Sequence, residues 1–144
     1  MNPTVDRSSL TWRWCHFSEL SLRELHDIYR ARQQVFSIEQ QCIYLDADGF
    51  DERSHHLAAW RTGLRLPLAY ARVVAPGLKY AEPSIGRVIT TEAARGSGLG
   101  RELVRRAVEC AEAMYPGQGI RISAQSRLEA FYREAGFEAV GEPY

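Results

Sequence analysis

The stretch AARGSGLGRELV, residues 93–104, constrains the fold more than any other, because it sets three glycines directly before a helical pattern. Glycine is costly at the start of a helix unless the backbone itself has a task there. From Leu99 onward, apolar residues recur at helical spacing and form one face of a long helix. That face consists of Leu99, Leu103, Val104, Ala107, Val108, Ala111 and Met114. The segment therefore predicts a turn into a helix, with a bare backbone at the turn.

β-prone segments lie on both sides of this helix, and others precede them in the chain. The strand before the glycines and the strand after the helix make a strand–helix–strand unit. A turn at Thr62–Gly63 joins two of the earlier segments into a hairpin. The predicted strands are TWRWCH (11–16), HLAAW (56–60), LPLAYARVV (66–74), SIGRVITT (84–91), IRISA (120–124) and FEAVG (137–141).

The first predicted helix begins with a capping box, in which Ser21 caps the helix and Glu24 reaches back to it. The other helical and loop segments follow from their spacing and composition. They are a helix at 21–35, a second short helix in VFSIEQQ (35–41), a polar loop in YLDADGFDERS (44–54) and a helix in RLEAFYREA (127–135).

The element order is therefore β-α-α-β-β-β-α-β-α-β. Strands outnumber helices and cluster in the middle of the chain, so the predicted fold class is α/β, a mixed sheet with helices on both faces. The chain has 144 residues and shows no repeat or linker, which favours a single domain over residues 1–144.

Composition excludes several classes of protein. Lysine plus arginine and aspartate plus glutamate both number 18, so the basic excess typical of nucleic-acid binding is missing. No apolar run approaches the ~20 residues that span a bilayer, and the sequence MNPTVDRSSL does not resemble a signal peptide. Three widely spaced cysteines favour reduced thiols in a cytoplasm over disulfides or a zinc site. We therefore expect a cytoplasmic protein with no nucleic-acid or membrane partner and no metal, and a homodimer is left open.

The glycine turn has two readings. One is a tight turn that needs glycine for its backbone angles. The other is an anion cradle, because a helix N-terminus leaves its first N–H groups unpaired and carries a partial positive charge. The cradle would use the N–H groups of residues 96–101, with Arg95 and Arg101 adding charge. The spacing does not fit the dinucleotide fingerprint, because Arg101 stands where its third glycine would fall. It does not fit the P-loop either, because Arg101 and Glu102 follow Gly100 where that motif needs lysine and then serine or threonine.

The pattern that remains is R-x-x-G-x-G, filled by Arg95, Gly98 and Gly100. It resembles the pyrophosphate-binding motif of the GNAT N-acetyltransferases, which bind acetyl-CoA. AFYREAGF (130–137) is similar to a later motif of the same family, an aromatic–tyrosine pair on a helix before Gly-Phe. The resemblance implies the GNAT fold, with acetyl-CoA as cosubstrate.

A narrower resemblance covers nearly the whole chain. RQQVFSIEQQCIYLDADGFDERSHHL (32–57), GRVI (86–89) and SAQSRLEAFY (123–132) are similar to the ElaA-type branch of that family. Relatives usually continue past the EPY-like end into a further strand, whereas this sequence stops at Tyr144. Either the sequence is trimmed or the sheet lacks its last strand.

The family resemblance also implies roles for individual residues. The strand edge at Val88, Ile89 and Thr90 would take the pantetheine arm, and a backbone N–H there would polarise the acetyl carbonyl. Tyr132 would give its proton to the leaving thiolate, although two aromatics on a short helix are more often core residues. The predicted cofactor-binding residues are Val88, Ile89, Thr90, Arg95, Gly96, Ser97, Gly98, Leu99, Gly100, Arg101, Gln125 (where many relatives have asparagine) and Phe131.

The general base is the least defined part. Our choice is Glu39, and a base acting through waters is an equal alternative; His56 is more readily a strand-start residue with one hydrogen bond. The other candidates are Asp46, Asp48, Glu92 and His55.

The acids of the 44–54 loop are either solvated or a wall that attracts a cationic amine, and their spacing does not fit an EF-hand. Acids near Cys42 would raise its pKa, so direct attack by the amine is favoured over a cysteine intermediate.

The sequence therefore predicts an N-acetyltransferase that moves an acetyl group from acetyl-CoA to a primary amine, in a small molecule, a lysine or an amino terminus, through a ternary complex. Two alternatives stay open. One is a non-catalytic acyl-CoA-binding module, and the other is an enzyme similar to acyl-homoserine-lactone synthases, since Arg32 to Phe36 also fits that class.

Overall fold

A computed structural model of the chain describes residues 9–122. Its strands are β1 Leu10–His16, β2 Ser54–Arg61, β3 Ala69–Val74, β4 Ser84–Thr90 and β5 Arg121–Ile122, and its α-helices are α1 Leu22–Gln33 and α2 Leu99–Met114. Types and order agree with the sequence prediction over these residues. The predicted helix 127–135 and strand 137–141 lie outside the described residues.

The five strands form one sheet in the order β1-β2-β3-β4-β5. The first four strands pair antiparallel, whereas β4 and β5 are parallel, because α2 carries the chain back across the sheet between them. In the hairpin, Gly63 takes the left-handed conformation at a φ of 89°, as its turn requires. The mixed sheet predicted from the sequence is confirmed.

The helices cover opposite faces of the sheet. On the face covered by α2, the core consists of Leu57, Ala59, Leu68, Ala69, Ala71, Val73, Ile85, Ala94, Leu99, Leu103, Ala107 and Ala111. On the face covered by α1, it consists of Ile28, Ala31, Val35, Phe36, Ala58, Tyr70 and Ile89. Alternate residues of β2 and β3 therefore supply different cores. Met114, predicted on the apolar face of α2, is 37% exposed in its last turn.

The capping box of α1 is present: Glu24 N–H donates to Ser21 Oγ at 3.0 Å, and Ser21 N–H donates to Glu24 Oε1 at 2.8 Å. The predicted second helix is a π-helical continuation of α1, Gln34–Glu39, with no break between them. The wider turn buries the consecutive residues Val35 and Phe36 against the sheet. No helix within residues 9–122 is long and apolar enough to cross a bilayer.

Candidate functional site

The glycine turn lies between the end of β4 and the start of α2. After a short 3₁₀ turn at Glu92–Ala94, the chain turns through Gly96 and Gly98 at φ values of 80° and 81°, and Gly98 is the N-cap of α2. Residues with a Cβ rarely adopt this left-handed conformation, so the turn needs its glycines. The conformational reading of the motif is therefore correct.

The same turn leaves backbone donors at the helix N-terminus. The first intrahelical bond runs from Glu102 N–H to Gly98 O at 3.3 Å, and Leu99 N–H lies 3.4 Å from Ser97 Oγ. Gly96 and Gly98 are exposed, and Gly100 lies in the first turn of the helix at intermediate exposure. A Cβ placed on Gly96 would meet no atom within 4 Å, so the turn is open on that side. A helix N-terminus with open space beside its glycine backbone is the geometry that an anion cradle requires.

Arg95 makes contacts that the sequence did not predict. Its Nη2 and Nε donate to Thr90 O at 3.0 Å and 3.2 Å, and Nη2 pairs with a carboxylate oxygen of Glu39 at 2.5 Å. The guanidinium thus joins the end of the π-helical segment to the end of β4. Glu39, the predicted base, lies beside the glycine turn with a cation as its partner, and its role as a base stays a prediction.

A bulge interrupts β4 just before the predicted acyl-binding edge. Tyr70 pairs with Ile89 and Arg72 pairs with Gly86, so three steps along β4 face two steps along β3. Arg87 lies inside this bulge at a φ of 53°, which costs a non-glycine residue about 1–2 kcal/mol. The extra residue also reverses the side-chain alternation between the two ends of β4.

Backbone alternation from the two ends of β4 shows where its amides face. Pro83 O accepts from Arg121 N–H, so residue 83 faces β5, while Thr91 N–H donates to Leu68 O on the β3 side. Backbone groups of alternate residues face the same side, so Arg87, four residues after Pro83, faces the β5 side. From the other end, Thr91 faces β3, so Val88, three residues earlier, faces away from β3. Within the described chain, the β4–β5 pairing covers residues 84 and 85, so the amides at 87 and 88 lie beyond it.

Of the three residues predicted for the acyl-binding edge, Val88 and Thr90 therefore turn their backbone groups away from β3. Ile89 pairs with Tyr70 and packs its side chain into the core below α1. Within residues 9–122, the strand therefore packs its side chains while backbone groups at 88 and 90 face away from β3, and the role of this edge in cofactor binding stays a prediction. Gln125, Phe131 and Tyr132 lie outside the described residues, and their assigned roles stay predictions.

The acidic loop forms a buried ionic network with arginines from α1 and β3. Arg32 donates to Asp51 at 2.8 Å and to Asp46 at 3.0 Å, and Arg72 donates to Asp48 at 2.7 Å and to Asp51 at 3.0 Å. Arg32 and Arg72 are 0% exposed and Asp51 is 1% exposed. The expectation of a solvated acidic loop is therefore wrong. Nor is the loop a free anionic wall, because each of these carboxylates already has a cationic partner.

The network has a clear effect on protonation. Burial alone would raise the pKa of Asp51, but the hydrogen bonds and charges of Arg32 and Arg72 outweigh it, so the pKa lies below its ordinary value. Burial and the charge of Asp51 raise the pKa of Tyr29, which donates to this carboxylate at 3.2 Å, to about 12. Asp51 is thus held in its charged, hydrogen-bonded state around neutral pH.

His56 is buried between β3 and the acidic loop. Its Nε2 lies 2.9 Å from Asp51 O and its Nδ1 lies 2.6 Å from Tyr70 Oη. A carbonyl oxygen only accepts, so Nε2 carries the proton and Nδ1 accepts from the tyrosine hydroxyl. Burial lowers the pKa of His56 to about 4. The ring is neutral with both nitrogens occupied, so His56 is a structural residue, with two hydrogen bonds rather than the one expected.

Two of the three thiols are less readily ionised than a free cysteine. Burial raises the pKa of Cys15 and Cys110, and in the described part of the chain the cysteines form no disulfide. Residues 9–122 also contain no cluster of three or more histidine, cysteine or acidic side chains able to hold a metal ion.

Comparison with known proteins agrees with this geometry. The acetyltransferase (GNAT) domain model matches residues 37–144. The solved structure of an acyl-CoA N-acyltransferase from Pseudomonas aeruginosa superposes with a TM-score of 0.87 at 42% identity, over 94% of this chain and 93% of that one. The chain belongs to the GNAT family, and its fold is that of the acyl-CoA N-acyltransferases. Family and fold together define an acyltransferase that takes its acyl group from acyl-CoA.

Within the family, the chain falls in the ElaA-like branch. Protein ElaA of Escherichia coli is 34% identical over 137 residues, covering 94% of this chain and 88% of that protein, and its crystal structure superposes with a TM-score of 0.87. A UPF0039 protein of Synechocystis is 44% identical over 135 residues, covering 94% of this chain and 87% of that protein. The resemblance stated from the sequence is confirmed.

Sequence reasoning missed the arginines that hold the acidic loop. One signal was present: Arg72 stands in the apolar strand segment LPLAYARVV, where a buried charge requires a partner. Arg87 gave no such signal, because arginine does not indicate a left-handed backbone.

Proposed function

We propose that this protein is an N-acetyltransferase that moves an acetyl group from acetyl-CoA to a primary amine by direct attack within a ternary complex. The observation that carries the proposal is the open glycine turn at the N-terminus of α2, directly after the bulged strand β4. Within residues 9–122, a helix N-terminus with an open glycine turn follows a strand whose amides at 87 and 88 lie beyond the β5 pairing, which is the order that a nucleotide with an extended arm would require.

The backbone of the turn would hold the diphosphate of CoA through N–H groups between Gly96 and Arg101. The β4 edge at Val88, with the N–H of Thr90, would bind the pantetheine arm as a strand partner, while the Thr90 carbonyl already accepts from Arg95. An amide at the bulge would donate to the acetyl oxygen and stabilise the negative charge that develops there during attack.

The reaction forms a bond between the amine nitrogen and the acetyl carbon and breaks the carbon–sulfur bond. The leaving thiolate takes a proton from Tyr132, whose hydroxyl is ordinarily protonated at neutral pH. Gln125 and Phe131 would line the arm and the thiol end. Each of these three roles rests on the family motif.

The amine must also lose a proton. His56 is unsuited as a base because it is buried, its nitrogens are both hydrogen-bonded and its pKa is about 4. Proton removal therefore falls to Glu39, if it exchanges its contact with Arg95 for one with the amine, or to water. The acceptor is a small amine, a lysine or an amino terminus.

The test has two parts. CoA and acetyl-CoA should raise the melting temperature in proportion to the logarithm of their concentration, and acetyl-CoA with a panel of primary amines should release free thiol. Stabilisation without thiol release from any amine would favour the acyl-CoA-binding module. No stabilisation by either nucleotide would refute the assigned site.

A further inference from the structure

Arg87 combines an unusual backbone with an unusual number of side-chain contacts. It occupies the β4 bulge in the left-handed region at a φ of 53°, a position that glycine usually takes in bulges of this kind. Strain that persists in a folded chain must be over-determined by its surroundings, and here the side chain supplies the constraint.

The guanidinium of Arg87 is held on the acidic loop at several points. Nε lies 3.1 Å from Asp46 Oδ1, and Nη2 lies 3.2 Å from Asp48 Oδ2. Nη2 also donates to the carbonyl oxygens of Asp46 at 3.2 Å and Leu45 at 3.3 Å, and the guanidinium carbon lies 4.9 Å from the centre of the Tyr44 ring. The side chain is 15% exposed, so this clamp is largely shielded from water.

The far side of the clamp is fixed as well. Asp46 and Asp48 are held by Arg32 and Arg72, whose side chains are 0% and 1% exposed and which extend from α1 and β3. The loop is therefore held by buried arginines on the side away from Arg87. A guanidinium anchored to it can hold the backbone of β4 in a conformation that this backbone would otherwise leave.

We propose that Arg87 is a positioning residue for acyl transfer: its clamp on the Asp46–Asp48 loop holds the β4 bulge so that the amides at 87 and 88 face the acyl carbonyl. The inference rests on the proposed function and deepens it. Arg87 does not touch the substrate; it acts through the backbone whose direction it fixes.

Three variants separate this role from a general structural one. Arg87→Gly suits the left-handed backbone but removes the clamp, so the bulge can relax. Arg87→Lys keeps the charge but offers a single ammonium in place of the planar fork. Arg65→Ala is the control, because it also removes an arginine paired with an aspartate, Asp27, but from a half-exposed position in the β2–β3 connection and without a contact to the acidic loop among those seen in residues 9–122.

The measurements are kcat and KM for acetyl-CoA, CoA-induced thermal stabilisation, and the carbonyl stretching frequency of bound acetyl-CoA with an isotope-labelled acetyl group. Arg87→Gly should lose about tenfold or more in kcat with CoA stabilisation retained, since a misaligned amide stabilises the oxyanion less. In the wild type, the hydrogen bond from the amide should lower the stretching frequency of the acetyl carbonyl. In Arg87→Gly, most of this decrease should disappear. Arg87→Lys should recover part of both effects, and Arg65→Ala should match the wild type.

The outcomes separate the two hypotheses. Full kcat and an unchanged frequency in Arg87→Gly would overturn the positioning role, as would a loss of CoA binding that accounts for the whole loss of turnover. If the wild type releases no thiol with any amine, the proposed function fails, and the carbonyl frequency alone decides the role of Arg87. If acetyl-CoA does not bind the wild type, both proposals are overturned.

Discussion

Replacing Asp51 with asparagine should destabilise the fold strongly, because this carboxylate is shared by two buried arginines. Asp51→Asn keeps the shape of the side chain and removes its charge. The variant leaves three arginines, Arg32, Arg72 and Arg87, facing the two remaining carboxylates of the loop. One positive charge is then uncompensated in a site where both arginine partners of Asp51 are 0% exposed.

The expected magnitude follows from which contacts survive. Breaking a buried ion pair by removing one partner costs about 3–5 kcal/mol. Arg32 keeps Asp46 at 3.0 Å and Arg72 keeps Asp48 at 2.7 Å, so neither arginine is left alone. We therefore expect the lower end, about 3 kcal/mol of unfolding free energy, which for a chain of this size lowers the melting temperature by roughly 6–12 °C.

The assay is urea unfolding together with a thermal melt at neutral pH. Glu82→Gln makes the same acid-to-amide change in the half-exposed pair with Arg121 at 3.3 Å, and it should cost about 1 kcal/mol or less. Adding Arg72→Met to Asp51→Asn removes the uncompensated charge, so the double variant should lose less stability than the sum of the single variants. A loss below about 1 kcal/mol in Asp51→Asn, or plain additivity in the double variant, would show that charge balance does not hold this loop.

The same reasoning fixes the pH dependence. The pKa of Asp51 is lowered in the folded protein, so its contribution is fully present above the unfolded value of about 4 and is lost as the pH falls through the folded value. The wild type should lose stability in that acidic window, and Asp51→Asn should lose less there. Parallel curves would contradict the assigned pKa shift.

Three further outcomes are expected. Gly96→Asp and Gly96→Asn have side chains of the same shape, which tolerates the left-handed backbone, and differ in charge. The negative charge of the aspartate variant alone should weaken CoA binding in titration calorimetry, by about 1 kcal/mol or roughly fivefold. Added salt should reduce this difference between the two variants. The pKa of His56 is about 4 in the folded protein, so the unfolded state binds the proton first as the pH falls. The free energy of unfolding should therefore fall by about 3 kcal/mol between pH 6.5 and pH 4. In urea unfolding, His56→Gln should reduce this dependence on pH, and an unchanged slope would contradict the pKa shift. Tyr132→Phe should lower kcat about 100-fold with unchanged CoA-induced stabilisation, and unchanged turnover would remove it as the proton donor.

Local signals in the sequence predicted most of the described fold. The capping box at Ser21 and Glu24, the helical spacing after Leu99 and the turn at Gly63 each depend on residues a few positions apart. Such signals survive tertiary packing because they satisfy backbone groups or buried faces that any compact structure must satisfy. For that reason the element types and their order could be predicted without knowledge of distant contacts.

The acidic loop could not be predicted in the same way, because its partners lie far away in the chain. Asp51 is 19 residues from Arg32 and 21 residues from Arg72, and these distances carry no periodic signal. Three aspartates in a turn-rich segment have the composition of a solvated loop. These aspartates are buried because the fold places arginines from α1 and from the sheet against the same loop.

The contact between Glu39 and Arg95 gives Arg95 a role other than the one predicted from the sequence, which was to add positive charge to the anion site. A carboxylate beside the glycine turn would repel the diphosphate of CoA, since two like charges about 4 Å apart repel by about 1 kcal/mol even in water. The pair at 2.5 Å cancels that charge, and the same guanidinium anchors the last carbonyl of β4, on Thr90. Arg95 can therefore favour the anion without contacting it, by neutralising Glu39 and fixing the strand end. Removing the Arg95 side chain alone should therefore weaken CoA binding more than removing the Arg95 and Glu39 side chains together.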